Sequence, residues 1–342
     1  MDFGMFTDFH IRPRMTQAEA FEESFNQVQA AEELGMDSVW LAEHHFSPDR
    51  SVLASPLVIA SAIAARTSRI RIGLAVQVLP LTNPLRIAEE AATVDHISKG
   101  RFNFGIGRSG LTKYYQGYNV PYAESRARFL EALDIIMKVW RQERFSHEGT
   151  YFSFHDVTVV PKPYQQPYPP LRVALASPDT FSLIGSMGHS VFISANTPIP
   201  QLRERLDLYE KARQEAGHPG PSDIALRIPA YVAETAERAR SEPEASAMHA
   251  IHYGAQELSG SAASQETAER LQRMASVPYD DLLKRRLLFG TPEAVVERLQ
   301  EYQEALGITG VVLEMNYGGQ IPYDRVINSI RLLSDKVIPQ FK

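Results

Sequence analysis

Cysteine is missing from this chain altogether. That excludes disulfides, thiolate metal sites and a cysteine nucleophile outright, and it fits a reducing compartment such as the cytoplasm. Long apolar runs are missing too, since no stretch approaches the ~18 residues that mark a membrane-spanning helix. Met1 leads straight into Asp2 and an alternating segment, with neither a basic n-region nor an apolar h-region, so no export signal is expected. Basic clusters are also absent: the net charge of -6 is spread along the chain, which argues against nucleic acid or an anionic membrane as partner. The expected partner is a small molecule.

What is present is the composition of an ordinary globular protein, 44% hydrophobic and 22% charged over 342 residues. That length exceeds one doubly wound domain and suits a (β/α)8 barrel of about 250 residues carrying insertions. The expectation is therefore a single domain over residues 1–342. Strand and helix patterns alternate from the start: a strand at Asp2–Asp8, then a helix from the capping box Thr16-Gln17-Ala18-Glu19 to the stop at Gly35. Further strands are read at Ser38–Ala42, Ile70–Leu79, Arg101–Ile106, Leu171–Leu175, Ser190–Ser194, Ala225–Ala233 and Val311–Met315, with helices between them. Two stretches break the rhythm. Glu143–Pro170 reads as a hairpin-like excursion, and the polar segment at about 237–286, containing Gly260-Ser261-Ala262-Ala263-Ser264, reads as a mobile insertion placed to act as a lid.

Barrel chemistry gathers at the C-terminal ends of the strands, and three motifs fall there. The second strand runs into Glu43-His44-His45-Phe46, a carboxylate and two imidazoles, one of which can equally be a hydrogen-bonded core residue. The fourth ends in Gly105-Ile106-Gly107-Arg108-Ser109-Gly110. Those letters match a dinucleotide fingerprint, but no helix opens at once as that turn requires. The loop is read as presenting Arg108 as a fixed cation for a phosphate, or as glycines that only permit a sharp turn. After the fifth strand, Ser177 is placed as an N-cap and Pro178 at the first helical position, so free amides with the Ser177 and Thr180 hydroxyls make a phosphate cradle. Asp179 is expected to face solvent. A catalytic metal is not expected, because the first strand ends with Asp8 and His10 only and the other histidines lack ligand spacing.

Taken in order, the opening MDFGMF, VWLAEHHF around His44, VLPLTNPLRIAEEAATVDHISKGRFNFGIGR ending at Arg108, ESRA at Arg126, LDLY ending at Tyr209, and the closing segment with Glu314, Asn316, Gly318 and SIRLLSDKVIP resemble the bacterial luciferase-like superfamily of flavin-dependent monooxygenases. The likeness covers nearly the whole chain. It implies a TIM barrel, His44 as the catalytic histidine, and Arg108, Arg126, Ser177 and Thr180 around the FMN phosphate. It adds Ala174 and Ala176 to the cofactor set and implies a non-proline cis peptide between Ala75 and Val76 under the flavin ring. It further implies that a separate NAD(P)H:flavin reductase supplies reduced FMN, that O2 adds at the flavin C4a carbon to oxidise a small organic substrate, aldehydes included, and that the chain forms a homodimer or heterodimer through helices near Ser55–Arg66. Gly107 stands where luciferase carries a reactive cysteine, and Ser194-Ala195-Asn196 replaces an aromatic-rich segment, so neither light emission nor a long-chain aldehyde substrate is carried over. A deazaflavin-dependent oxidoreductase on the same barrel and a non-catalytic flavin-binding protein are the alternatives.

Overall fold

Strands that are apolar along their whole length need cover on both faces, and a helix after each strand provides it. The computed structural model describes the backbone of every residue except Ala176 and residues 261–264, and the side chains of the rest apart from 258, 266, 267, 270, 271 and 274. Its strands are β1 (Asp2–Thr7), β2 (Ser38–Leu41), β3 (Arg71–Leu74), β4 (Gln77–Val78), β5 (Phe102–Gly107), β6 (Phe145–Glu148), β7 (Ser153–Val157), β8 (Leu171–Ala174), β9 (Ser190–Ser194), β10 (Ile224–Val232), β11 (Leu288–Gly290) and β12 (Gly310–Glu314). The order β1-β2-β3-β5-β8-β9-β10-β12, parallel throughout and closing from β12 back onto β1, is a (β/α)8 barrel. All eight strands read from the sequence take part. The one read over Ile70–Leu79 is divided at the Ala75–Val76 bond, which is cis, and β4 pairs with the end of β5.

The helices are α1 (Gln17–Glu33), α2 (Pro56–Arg66), α3 (Pro84–Ser98), α4 (Thr112–Gly117), α5 (Ser125–Arg141), α6 (Pro178–Met187), α7 (Ile199–Glu215), α8 (Ala236–Ser241), α9 (Glu244–Gly260), α10 (Gln265–Ala275), α11 (Tyr279–Arg285), α12 (Pro292–Leu306) and α13 (Tyr323–Leu332). Among the described residues no helix is long and apolar enough to cross a membrane. Local sequence sets their ends: Thr16 and Glu19 form the reciprocal capping box, and Gly35 takes φ +94° just past α1. Helix α4 lies just beyond Gly110, where the sequence predicts a loop rather than a helix. The excursion after α5 is the antiparallel pair β6–β7.

Inside the barrel the Trp40 indole fills space that glycines leave for it: a Cβ on Gly4 or Gly73 would come within 2.6 or 2.2 Å of its ring. Trp40 meets Phe192 edge-on at 4.9 Å between centroids, and with Phe6, Ala42, Ala225 and Val312 it forms an apolar floor beneath the C-terminal face. Strand β10 runs past the barrel rim to pair with β11. Between these two strands lies the insertion, where α8, α9, α10 and α11 occupy the polar segment. Ala247, Ile251, Tyr279, Leu282 and Leu287 give it a small core of its own.

Candidate active site

The phosphate-like end is built first. Strand β5 carries Gly105 and Gly107 because its neighbours press on it: a Cβ at Gly105 would lie 1.6 Å from the Leu74 carbonyl oxygen, and one at Gly107 would lie 2.5 Å from Val76 Cγ2. The glycines therefore serve close packing of β5 on β3 and β4, and a cysteine at 107 would have to displace Val76. Arg108 follows at the strand end and donates from Nη1 to Ser125 Oγ at 3.1 Å. It lines a cavity of about 320 Å³ together with Ala75, Val76, Arg126, Ala174, Ser177 and Thr180. Ala176 lies outside the described residues.

Ser177 is the N-cap residue of α6 and Pro178 the first helical residue, but the Ser177 hydroxyl makes no capping bond. Thr180 Oγ1 donates to the Ser177 carbonyl at 2.6 Å. The Ser177 and Thr180 hydroxyl oxygens are 3.4 Å apart, and an N-terminus whose amides are not capped by a side chain can receive an anion. Arg126 is half-exposed and 3.6 Å from Asp179, which is 73% exposed and turned to solvent as expected. Most of the remaining wall is apolar, with Phe129, Leu183, Phe192 and Val312, apart from Ser109, Ser194 and Arg227. These residues fit a flat ring system at one end and a phosphate at the other.

A second cavity, of about 250 Å³, shares Ser194 and Arg227 with the first and is roofed by residues of α9. Asp8, one residue past β1, is fully buried at its edge and accepts from Arg50 Nη2 at 3.1 Å and His44 Nε2 at 3.0 Å. Burial alone would raise the Asp8 carboxyl, but His44 and Arg50 overcome it and hold the group well below the usual carboxylate range. The His44 Nδ1 is 2.9 Å from the Tyr114 hydroxyl. With Asp8 ionised, Nε2 carries the proton and Nδ1 accepts from Tyr114. Burial, reinforced by the Arg50 guanidinium, lowers the His44 pKa to about 4 against the pull of Asp8, so the ring is neutral at neutral pH. Among the described residues His44 does not line either cavity; it reaches the second through Asp8.

Its neighbour His45 is the core histidine of the pair. It is buried, and its Nε2 lies 2.8 Å from Glu43 Oε1, while Glu43 Oε2 accepts from Gln77 Nε2 and the Val78 amide at 2.7 and 2.8 Å. Glu43 thus fixes β4 just beyond the cis bond. Opposite, Glu314 Oε2 accepts from Arg227 Nη2 at 2.9 Å, and the Arg227 guanidinium lies 3.8 Å from the centre of the Phe6 ring. Asp8, His10 and Glu314 bring potential metal-ligand atoms within 4.8 Å of one another, a proximity that spacing along the chain did not reveal. Both carboxylates already hold a guanidinium, so the charge a metal would neutralise is met.

Reasoning from the sequence placed Asp8 and Glu314 without a role here and passed over Arg50, Tyr114 and Arg227. A signal existed for two of them, since Asp8 and Glu314 stand at C-terminal strand ends. Arg50 and Tyr114 lie in loop and short helix, and Arg227 is in mid-strand; nothing local marks them.

Comparison with known proteins gives the arrangement its context. The luciferase-like monooxygenase family model matches residues 1–309. The alkanal monooxygenase alpha chain of the Kryptophanaron alfredi symbiont is 31% identical over 64% of this chain and 61% of its own. Limonene 1,2-monooxygenase of Rhodococcus erythropolis is 27% identical over the whole of this chain and 87% of its own. The oxygenase component of the flavin-dependent trigonelline monooxygenase of Acinetobacter baylyi is 25% identical over the whole of this chain and 96% of its own. Among solved structures, the monooxygenase RslO1 of Streptomyces bottropensis superposes with a TM-score of 0.85 at 26% identity over all of both chains. Two others share the fold at lower identity over all of this chain and 99% of theirs: the oxygenating constituent of 3,6-diketocamphane monooxygenase from Pseudomonas putida, in complex with FMN (TM-score 0.82, 21%), and an F420-dependent secondary alcohol dehydrogenase (TM-score 0.78, 20%). The chain belongs to the luciferase-like monooxygenase family.

Proposed function

We propose that this protein is an FMN-dependent monooxygenase that binds reduced FMN in the first cavity and oxidises a small organic substrate held in the second. One observation carries the reading: a cavity with a largely apolar wall ends at two arginines and at a helix N-terminus without a side-chain cap, next to a second, polar cavity. When bound, reduced FMN supplies the electrons with which oxygen is activated. Arg108, Ser177, Thr180 and the first amides of α6 would hold the phosphate, with Arg126 turning from Asp179 to join them, while Ala75, Val76 and Ala174 would bound the ring. The chain from Tyr114 through His44 to Asp8 is hydrogen-bonded end to end, so a proton can be held or passed at His44 Nε2 beside the second cavity. Helix α9 covers that cavity and keeps water from it, which is the role we assign to the insertion at about 237–286.

The deazaflavin alternative keeps the same barrel and phosphate cradle. Full-length similarity to relatives named monooxygenases supports the FMN reading over it. A separate NAD(P)H:flavin reductase is part of the proposal, supported by the relative named an oxygenase component, and so is a cytoplasmic setting. So too is a dimer through α2, whose Val58 is exposed while its other large apolar side chains are buried; a monomer mass in sedimentation at micromolar concentration would count against it. The central test is rapid mixing of the purified protein, loaded in turn with reduced FMN and reduced F420, with oxygenated buffer. A transient spectrum distinct from both oxidised and reduced flavin, seen with FMN alone, is expected. Tight binding of F420 with hydride transfer and no oxygen-dependent transient would favour the alternative. Flavin binding with neither reaction would leave a binding protein.

A further inference from the structure

We propose that the second cavity takes an uncharged, ring-shaped compound with two oxygen functions, a carbonyl received by Arg227 and a hydroxyl donated to Glu314. This substrate class rests on the reading of the first cavity as the flavin site.

Charge comes first. The buried walls set the carboxylates of Asp8 and Glu314 against the guanidiniums of Arg50 and Arg227, each pair in hydrogen-bond contact, with His44 neutral beside them. Asp49 adds a charge only at the exposed edge. A full anion or cation entering this space would shed its water without meeting a net opposite charge.

Hydrogen-bonding capacity comes second. Arg227 engages Glu314 through Nη2 alone; among the described residues its Nη1 and Nε make no hydrogen bond, and its side chain stays 35% exposed where the two cavities meet. Glu314 Oε1 receives no hydrogen bond from the described residues either. Spare donors and a spare acceptor therefore belong to two side chains that line the cavity and are joined through their other atoms. That pair is the complement of a carbonyl and a hydroxyl carried on one edge of the same ring system. An alkyl chain would leave both without partners, a mismatch that discriminates strongly between ligands.

Shape comes third. His249 and Tyr253, one turn apart on α9, stack at 6.1 Å with 28° between their planes, and both line the cavity. Two aromatic side chains in the lining favour a ligand that carries a ring. At about 250 Å³ the space is smaller than the usual ligand pocket, which calls for a compact molecule.

The experiment is calorimetric titration of the full-length protein, carrying oxidised FMN, with 7-hydroxy-1-tetralone, 1-tetralone, a tetralone carboxylate and decanal. The hydroxy ketone is expected to bind best, by about tenfold or more over decanal and the carboxylate. Arg227→Met and His249→Leu should each weaken it by about tenfold, Arg227→Lys should recover part of the loss, and Glu314→Gln should narrow the gap between 7-hydroxy-1-tetralone and 1-tetralone. Strongest binding by decanal or the carboxylate, no binding of any probe at millimolar concentration, or variants that leave the order unchanged would each overturn the inference. The panel on the unaltered protein decides the matter even where a variant does not fold. Quenching of FMN fluorescence is measured separately: if FMN itself fails to bind, the reading of the first cavity falls, whereas FMN binding with the wrong probe order sinks the substrate class alone.

Discussion

The two cavities that meet at Ser194 and Arg227 are assembled in opposite ways. The first takes its polar end from short runs of neighbouring residues, Gly107 to Arg108 at the end of β5 and Ser177 to Thr180 at the start of α6. The second draws Asp8, Arg50, Arg227, His249 and Glu314 from five distant parts of the chain. In the first, backbone amides and hydroxyls wait for a charged guest. In the second, charges are already paired with one another and little is left over. On the function proposed above, one end would hold a cofactor by its charge, and the other would receive a substrate by directed hydrogen bonds.

That contrast can be broken most sharply at His44. His44→Ala should cut turnover by ~10²-fold or more, on the usual scale of acid–base effects, while FMN affinity stays near that of the unaltered protein. Steady-state assays with an added flavin reductase measure the first and fluorescence titration the second. Near-normal turnover with an unchanged pH profile would mean that the Tyr114–His44–Asp8 chain only shapes the wall.

Arg108→Ala tests the other side. Loss of a charge-assisted bond to phosphate should weaken FMN binding by roughly 10–100-fold and leave riboflavin, which has no phosphate, bound as before. Equal losses for both flavins would place Arg108 elsewhere than at the phosphate.

A third prediction uses pH. The folded His44 pKa is depressed to about 4 from an ordinary 6.5, so the unfolded chain takes up the proton more readily. Stability is then complete above about pH 6.5 and falls as pH drops toward 4, by up to about 3 kcal/mol from this group. His189, lowered to about 4 by burial and by His218, acts in the same window, whereas Asp8 contributes only below its ordinary value of 3.8. Urea denaturation from pH 7 to 4 should show the loss, and His44→Gln should flatten part of it. An identical slope in the variant would remove His44 from the account.

The smallest effect concerns the roof. Glu257, near the end of α9, pairs with Lys113 and accepts from Ser47 Oγ at 2.7 Å, while Lys113 also donates to Ser47 at 2.7 Å. Glu257→Gln should change global stability by about 1 kcal/mol or less, yet speed proteolysis between residues 255 and 270 and raise hydrogen peroxide release at the expense of product. Unaltered cleavage and full coupling would make the contact incidental.

Much of the barrel was legible because its physics is local. Strands such as Ser38–Leu41 and Phe102–Gly107 are mostly apolar and buried at every residue, as strands covered on both faces are, and Thr16 and Ser177-Pro178 announce their helices within a few residues. The first cavity shared that legibility, since the residues read for it from position alone, Arg108, Ser177 and Thr180, all line it. Other features had no local signature. Gly105 and Gly107 looked like a turn and proved to be sites of close strand packing. Of the adjacent histidines, only the fold separates His45, tied to Glu43 in the core, from His44, tied to Asp8 at the cavity edge.

By itself, then, the sequence determined the eight strands, most helix starts and the residues Arg108, Ser177 and Thr180 that meet at one end of the first cavity, because period, capping and strand-end position act over a few residues. The tertiary structure alone decided which carboxylate meets which guanidinium, that His44 is neutral, and that Arg227 stands between two cavities. Those outcomes depend on distances and burial between residues tens to hundreds of positions apart, fixed only when β12 closes the barrel on β1 and brings Glu314 level with Phe6.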